Sequence, residues 1–151
     1  MAPEIPDVYW QGIQQQLGYT DEELQLFKDN PKNARVLAGV PELANTTFVF
    51  EVVESTHCNS QHVKGTRFYY SGDGNLLTKM APSKVCAYIL PVMTQSIFAM
   101  QELVYAGIPA AELTFRRAGC FDVGVHCGGW GRVIVEATTL PRTEAQALFG
   151  K

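Results

Sequence analysis

The chain has 151 residues, of which 46% are hydrophobic, and this is enough for one domain whose core needs no disulfide. Its formal net charge is -3 and it contains no run of lysine or arginine, so we expect no nucleic-acid binding. Only 18% of the residues are charged, which favours a homo-oligomer or a subunit of a larger complex over a compact, apolar monomer.

Two features predict a cytoplasmic protein with no membrane contact. Residues 1–12 lack the basic start and apolar run of a secretory signal. The most apolar stretch, 85–107, contains Gln95, Glu102 and Pro91 and is too polar to span a bilayer. In the cytoplasm, four cysteines favour thiols or metal ligands over two disulfides.

Residues 1–45 predict a helical arm without cysteine or histidine. Thr20 and Glu23 have the spacing of a capping box at the start of one helix. Asn30 precedes a proline and can cap the next helix. The glycine and proline in residues 39–41 predict its end.

The remaining chain predicts strands on either side of one long helix. β-Branched and aromatic residues indicate strands at 46–55, 112–119 and 131–139, and a hairpin over 66–80. Residues 141–151 form a tail with one predicted helical turn.

The long helix is predicted to begin at Pro82 and Ser83 and to end at Gly107, with a kink at Pro91. On this assignment Cys86 lies in the first turn, where the helix dipole favours a thiolate. The predicted fold class is α+β: a helical arm (1–45), then a domain (46–140) whose antiparallel or mixed sheet packs on a Pro-kinked helix, then the tail (141–151).

All four cysteines fall at the ends of predicted elements. Cys58 follows the first strand, Cys86 starts the long helix, and Cys120 and Cys127 bracket the loop before the last strand. Because strand ends and helix starts can converge at one rim of a sheet, we expect these thiols to meet in space. A core role for each cysteine is the alternative.

Histidines lie beside the cysteines. Together they give a candidate ligand set for zinc or an iron–sulfur cluster, with a disulfide as a third option. The candidate metal ligands are Cys58, Cys86, Cys120, Cys127, His57, His62 and His126.

The glycine-rich loop offers a second type of contact. Gly128 and Gly129 allow the backbone to approach a bound cofactor or cluster sulfur closely. Asp122 could accept a hydrogen bond from a ligating histidine or could cap its own turn.

An enzyme is the competing hypothesis. Cys86 or Cys120 would be the nucleophile or metal ligand, and His62 or His126 the acid–base partner. Arg116 or Arg117 would bind a small anionic substrate, unless both are merely solvated at the surface.

The motifs C-N-S-Q-H-V-K-G-T-R-F, P-S-K-V-C-A-Y and G-C-F-D-V-G together resemble a pattern in a family of small uncharacterised proteins from bacteria and archaea. The resemblance covers about residues 47–137 and leaves the arm and Cys127 outside. It implies a recurrent arrangement of three cysteines and no particular activity. The matching positions are Cys58, Gly65, Phe68, Cys86, Cys120 and Asp122.

Three functions therefore stay open. The preferred one is a small metal- or iron–sulfur-binding domain that serves as a subunit or accessory of a larger enzyme. The others are a small metal- or thiol-dependent enzyme and a structural subunit with core cysteines.

Overall fold

The computed structural model describes residues 3–150 and has an α+β architecture, which confirms the predicted class. Residues 1, 2 and 151, at the ends of the predicted arm and tail, lie outside the described residues. In chain order the helices and strands are α1 (Asp7–Leu17), α2 (Asp21–Asp29), α3 (Pro31–Ala44), β1 (Thr46–Thr56), β2 (Arg67–Ser71), α4 (Leu90–Tyr105), β3 (Arg117–Gly119), β4 (Arg132–Pro141) and α5 (Arg142–Phe149).

The predicted helical arm is present as three helices. Thr20 Oγ1 accepts the Glu23 N–H at 3.2 Å, and the Glu23 carboxylate accepts the Thr20 N–H at 2.8 Å, which confirms the capping box. Neither α1 nor α2 has a buried residue. Trp10 and Phe27 instead pack edge to face, with ring centroids 6.0 Å apart, so aromatic contact joins the two helices.

The predicted end of the third helix at residues 39–41 is wrong, because α3 continues to Ala44. Gly39 is buried where α3 crosses α4, and a Cβ there would lie 3.1 Å from the Tyr105 ring and 3.2 Å from Val104. Glycine therefore fits this tight helix crossing, and tertiary packing outweighs the low helix propensity of the stretch.

The sheet is antiparallel throughout, with strand order β2-β1-β4-β3. Alternate residues of the central strands point towards α4 because side chains alternate along a strand. Phe48, Phe50 and Phe68 are fully buried there against Met93 of α4. The predicted hairpin is only partly present: β2 pairs with β1, and the following segment adds a single bridge between Tyr70 and Leu76.

The predicted start of the long helix is also wrong. Helix α4 begins at Leu90, so Pro91 lies in its first turn, where the missing N–H has no partner to lose, and it does not interrupt the helix interior. Cys86 precedes the helix by four residues. It therefore does not lie in the first helical turn, and the expected stabilisation of its thiolate by the helix dipole is absent. The predicted end near Gly107, whose φ is 77°, is confirmed.

The other predicted elements differ mainly in length. The strand predicted over 112–119 is reduced to Arg117–Gly119, preceded by a 3-10 turn at Ala110–Glu112. The tail forms two helical turns, Arg142–Phe149, rather than one. Within residues 3–150, every helix is too short or too polar to cross a bilayer.

Candidate functional site

A pocket of about 450 Å³ opens where the loop after β1, the segment before α4 and the segment before β4 meet. Three cysteines from these segments line it: Cys58, Cys86 and Cys120. All four cysteines of the chain are free thiols, and the fourth, Cys127, is exposed outside the pocket. The structure therefore places three of the four thiols on the lining of one pocket, although they are far apart in the sequence.

Two of the pocket sulfurs accept backbone hydrogen bonds. The Tyr88 N–H lies 3.4 Å from Cys86 Sγ, and the Val133 N–H lies 3.3 Å from Cys120 Sγ. Cys120 is held further by its own N–H, which donates to the Val133 carbonyl at 2.8 Å. N–H donors aimed at sulfur are among the contacts that tune metal-bound thiolates, so both sulfurs lie in surroundings suited to that role.

Cys58 lies in a turn of unusual backbone conformation. His57 and Gln61, which lie on either side of it in the sequence, have φ values of 50° and 59°. Residues other than glycine rarely adopt positive φ values. The Gln61 N–H donates to the Cys58 carbonyl at 2.9 Å, and Ser55 Oγ donates to the His62 carbonyl at 2.6 Å. Strained turns of this kind concentrate at ligand-binding sites, because the surrounding contacts must maintain them.

His62 lines the pocket and is only 4% exposed. Its ring packs edge to face on Phe68, with centroids 5.2 Å apart. Among the described residues, Nε2 of His62 finds no hydrogen-bond partner, although the atom is buried. Burial lowers the pKa of His62, so its imidazole is neutral at pH 7, the form that binds a metal ion.

Asp122 organises the loop between β3 and β4. Its Oδ1 accepts the N–H groups of Gly124 and Trp130, and its Oδ2 accepts that of Gly131, each at 3.0 Å. These backbone donors lower the pKa of the Asp122 carboxyl. Of the two roles open for Asp122, the structure has the second: it caps its own loop.

The glycines of this loop permit the close approaches that Asp122 requires. A Cβ on Gly129 would collide with the Asp122 carboxylate, and one on Gly131 would collide with the His57 carbonyl. Gly128 has a φ of 86° and, with Gly129, lines the pocket. The glycine-rich sequence therefore serves first to fold the pocket wall.

The other candidate residues lie elsewhere. His57 and His126 are exposed and do not line the pocket. Arg116 and Arg117 both approach the Glu136 carboxylate, at 4.0 and 3.1 Å, on the sheet rather than in the pocket.

Sequence reasoning missed the aromatic residues at the mouth of the pocket. Tyr88, Phe121 and Trp130 line it, although they are 60%, 80% and 74% exposed. Each lies within ten positions of a pocket residue already singled out, and Trp130 stands inside the glycine-rich stretch. Their proximity to the cysteines was the available signal. Arg132 also lines the pocket and pairs with Glu54 at 2.5 Å.

Two further findings concern the whole described chain. Within residues 3–150, no three or more His, Cys, Asp or Glu side chains stand as a group that could hold a metal ion. No protein-family model, no curated protein and no solved structure matches the chain. The resemblance to the three-cysteine family therefore stays a prediction.

Proposed function

We propose that this chain binds a soft metal centre, a zinc ion or an iron–sulfur cluster, and serves as a subunit or accessory of a larger enzyme. The ligands are the three pocket thiols, Cys58, Cys86 and Cys120. Their convergence from three separate segments on one pocket is the observation that supports the proposal.

The donor chemistry fits such a centre. Thiolate and imidazole are the ligands that zinc prefers in proteins, and thiolates hold iron–sulfur clusters. His62 supplies a fourth donor, because its neutral ring has a buried Nε2 without a partner among the described residues. A ligand for that atom would remove the free-energy cost of burying it unsatisfied.

Binding must also reorganise the pocket, since its thiols and imidazole do not stand as a ready ligand group in residues 3–150. The strained turn around Cys58 and the loop that carries Cys120 are the segments that would move. Metal binding is coupled to folding, so its free energy can also order the segments that carry the ligands.

A binding role is favoured over the enzyme hypothesis because half of the proposed catalytic residues lie outside the pocket. Cys86, Cys120 and His62 line it, but His126 is exposed outside it. Arg116 and Arg117 face Glu136 instead of the pocket, which leaves the hypothetical anionic substrate without its proposed clamp.

Metal analysis of the 151-residue chain, purified without oxygen, tests the proposal. We expect about one zinc ion or one cluster per chain. A visible absorption spectrum separates the two, because a cluster absorbs broadly and zinc does not. Cobalt(II) added to metal-free protein should produce thiolate charge-transfer absorption.

The exposed fourth cysteine provides a matched control. Loss of a contact to a metal ligand lowers metal affinity by roughly 10–100-fold. Loss of a ligand itself should cost more, so we expect a larger decrease in affinity for each of Cys58→Ser, Cys86→Ser and Cys120→Ser. Cys127→Ser should bind like the wild type, because Cys127 lies outside the pocket. Equal binding by all four variants, or no metal in any preparation, would reject the proposal and favour cysteines that only pack.

A further inference from the structure

We infer that the mouth of the cysteine-lined pocket is a binding site for a second ligand, a small molecule with a planar aromatic ring system. The site consists of the rings of Tyr88, Phe121 and Trp130. It shares the pocket with the proposed metal centre but does not rest on it, because none of these rings is a metal ligand.

The three rings are placed by backbone contacts rather than by burial. The Phe121 N–H donates to the Tyr88 carbonyl at 3.1 Å, and their rings stack with centroids 6.3 Å apart and planes 28° apart. The Trp130 N–H donates to Asp122 Oδ1 at 3.0 Å. Three large aromatic side chains are therefore held at one opening while most of their surface stays in contact with water.

Exposure of this kind is costly unless something covers the rings. Burying apolar surface stabilises a complex by about 25 cal/mol per Å². Aromatic pairs add about 0.5–1.5 kcal/mol beyond the buried area when they stack or meet edge to face. A planar ring gains both contributions, because it can lie against the Tyr88–Phe121 stack.

The pocket is much larger than a single metal ion. A sphere with the zinc–sulfur bond length as radius, about 2.3 Å, encloses only about 50 Å³. The pocket measures about 450 Å³, within the range of roughly 300–1,000 Å³ for small-molecule sites. Most of its volume is therefore available to an organic ligand, even with a metal ion bound.

The shape favours a small molecule over a protein partner. The rings line a concave pocket, and the polar side chains of Asn59 and Ser60 line the same pocket. A mainly apolar lining with a few polar groups is the usual composition of a small-molecule site. A protein interface of standard size would instead bury about 800 Å² per partner over a broad surface.

Calorimetric titration with 2-naphthol and with decahydro-2-naphthol tests the inference. The two probes share a carbon skeleton and a hydroxyl group, but only the first is planar and aromatic. We expect the 151-residue chain to bind 2-naphthol at least about tenfold more tightly than decahydro-2-naphthol, since stacking adds to apolar burial only for the aromatic probe.

Leucine variants locate the binding. Phe121→Leu and Trp130→Leu keep apolar bulk but remove the ring, and each should weaken 2-naphthol binding about fivefold or more, an effect of the size of one aromatic pair. Trp10→Leu, in the helical arm, is the matched control and should leave the affinity unchanged. All these side chains are at least partly exposed, so the variants should fold.

Several results would overturn the inference. These are no detectable binding of 2-naphthol, equal or tighter binding of the saturated probe, or binding unaffected by either leucine variant at the mouth. Self-association of the chain that Trp130→Leu abolishes, without naphthol binding, would show a protein interface instead. Titrations of chelator-treated and of zinc-treated protein keep the two proposals separate: naphthol binding without metal binding would refute only the metal centre.

Discussion

The core between the sheet and α4 differs from the pocket wall formed by residues 120–131 in what holds it together. Phe50, Phe68 and Met93 are fully buried in the core, where their side chains pack without hydrogen bonds. In the wall, Gly131 alone is buried, and the carboxylate of Asp122 accepts three of the hydrogen bonds that hold the wall together. A wall held by a few polar contacts can open while the core stays folded, which suits a binding site.

The largest effect should come from a change in the core. Phe50→Ala should lower the free energy of unfolding by about 3–5 kcal/mol, because it removes a fully buried ring and leaves a cavity. Denaturant unfolding followed by circular dichroism measures this. Leu26→Ala in α2, at an exposed position, should change stability by no more than about 0.5 kcal/mol. If the two variants were equally stable, the buried sheet face would not be the source of stability.

A change in the wall should have a smaller, local effect. Asp122→Asn replaces one acceptor oxygen with an NH₂ donor. The asparagine side chain therefore cannot accept both the Gly124 and the Gly131 N–H groups as the two carboxylate oxygens do. Amide hydrogen exchange at Gly124, Trp130 and Gly131 should become about tenfold faster, which corresponds to the loss of one hydrogen bond. Core amides should keep their protection. Asp73→Asn, in the turn after β2, should leave the wall unchanged; a wall equally protected in Asp122→Asn would show that other contacts hold it.

The smallest expected effect is the pH dependence of stability that arises from His62. This residue connects the two regions, because it packs on Phe68 of the core and lines the pocket. Burial lowers the pKa of His62 in the folded state, so as the pH falls below an unfolded value of about 6.5 the unfolded chain takes up this proton before the folded chain does. The stability that His62 contributes is therefore complete above about pH 6.5 and is lost as the pH falls towards its folded pKa.

Thermal unfolding between about pH 7.5 and 5.5 measures this dependence in a range where model carboxylates stay charged. His62→Gln should lose less stability on acidification than the wild type does. His126→Gln, at an exposed site, should follow the wild-type profile. A wild-type profile in His62→Gln would mean that another group titrates.

Local patterns predicted much of the fold because the forces that set them are local. The capping box at Thr20 and Glu23 and the strand that became β1 follow from residue chemistry and periodicity over a few positions. The start of α4 was mispredicted because Pro82–Ser83 and Pro91 are both acceptable near a helix N-terminus. The choice between them depends on how the segment before Leu90 packs at the pocket.

The sequence predicted which types of residue form the candidate site, but only partly which individual residues line the pocket. The sequence named Cys58, Cys86, Cys120 and His62, all of which line the pocket, but it gave Cys127 and His126 equal standing although both face solvent. Position along the chain does not reveal which way a side chain in a loop points.

The sequence by itself determined the α+β class, the helical arm and the presence of thiols at the ends of elements, because hydrophobic periodicity and capping chemistry operate between near neighbours. Only the tertiary structure decided which thiols share a pocket, that the imidazole of His62 is buried beside them, and that Asp122 folds the wall. Those outcomes depend on contacts between segments far apart along the chain, and the antiparallel pairing of β1 with β4 brings the segments together.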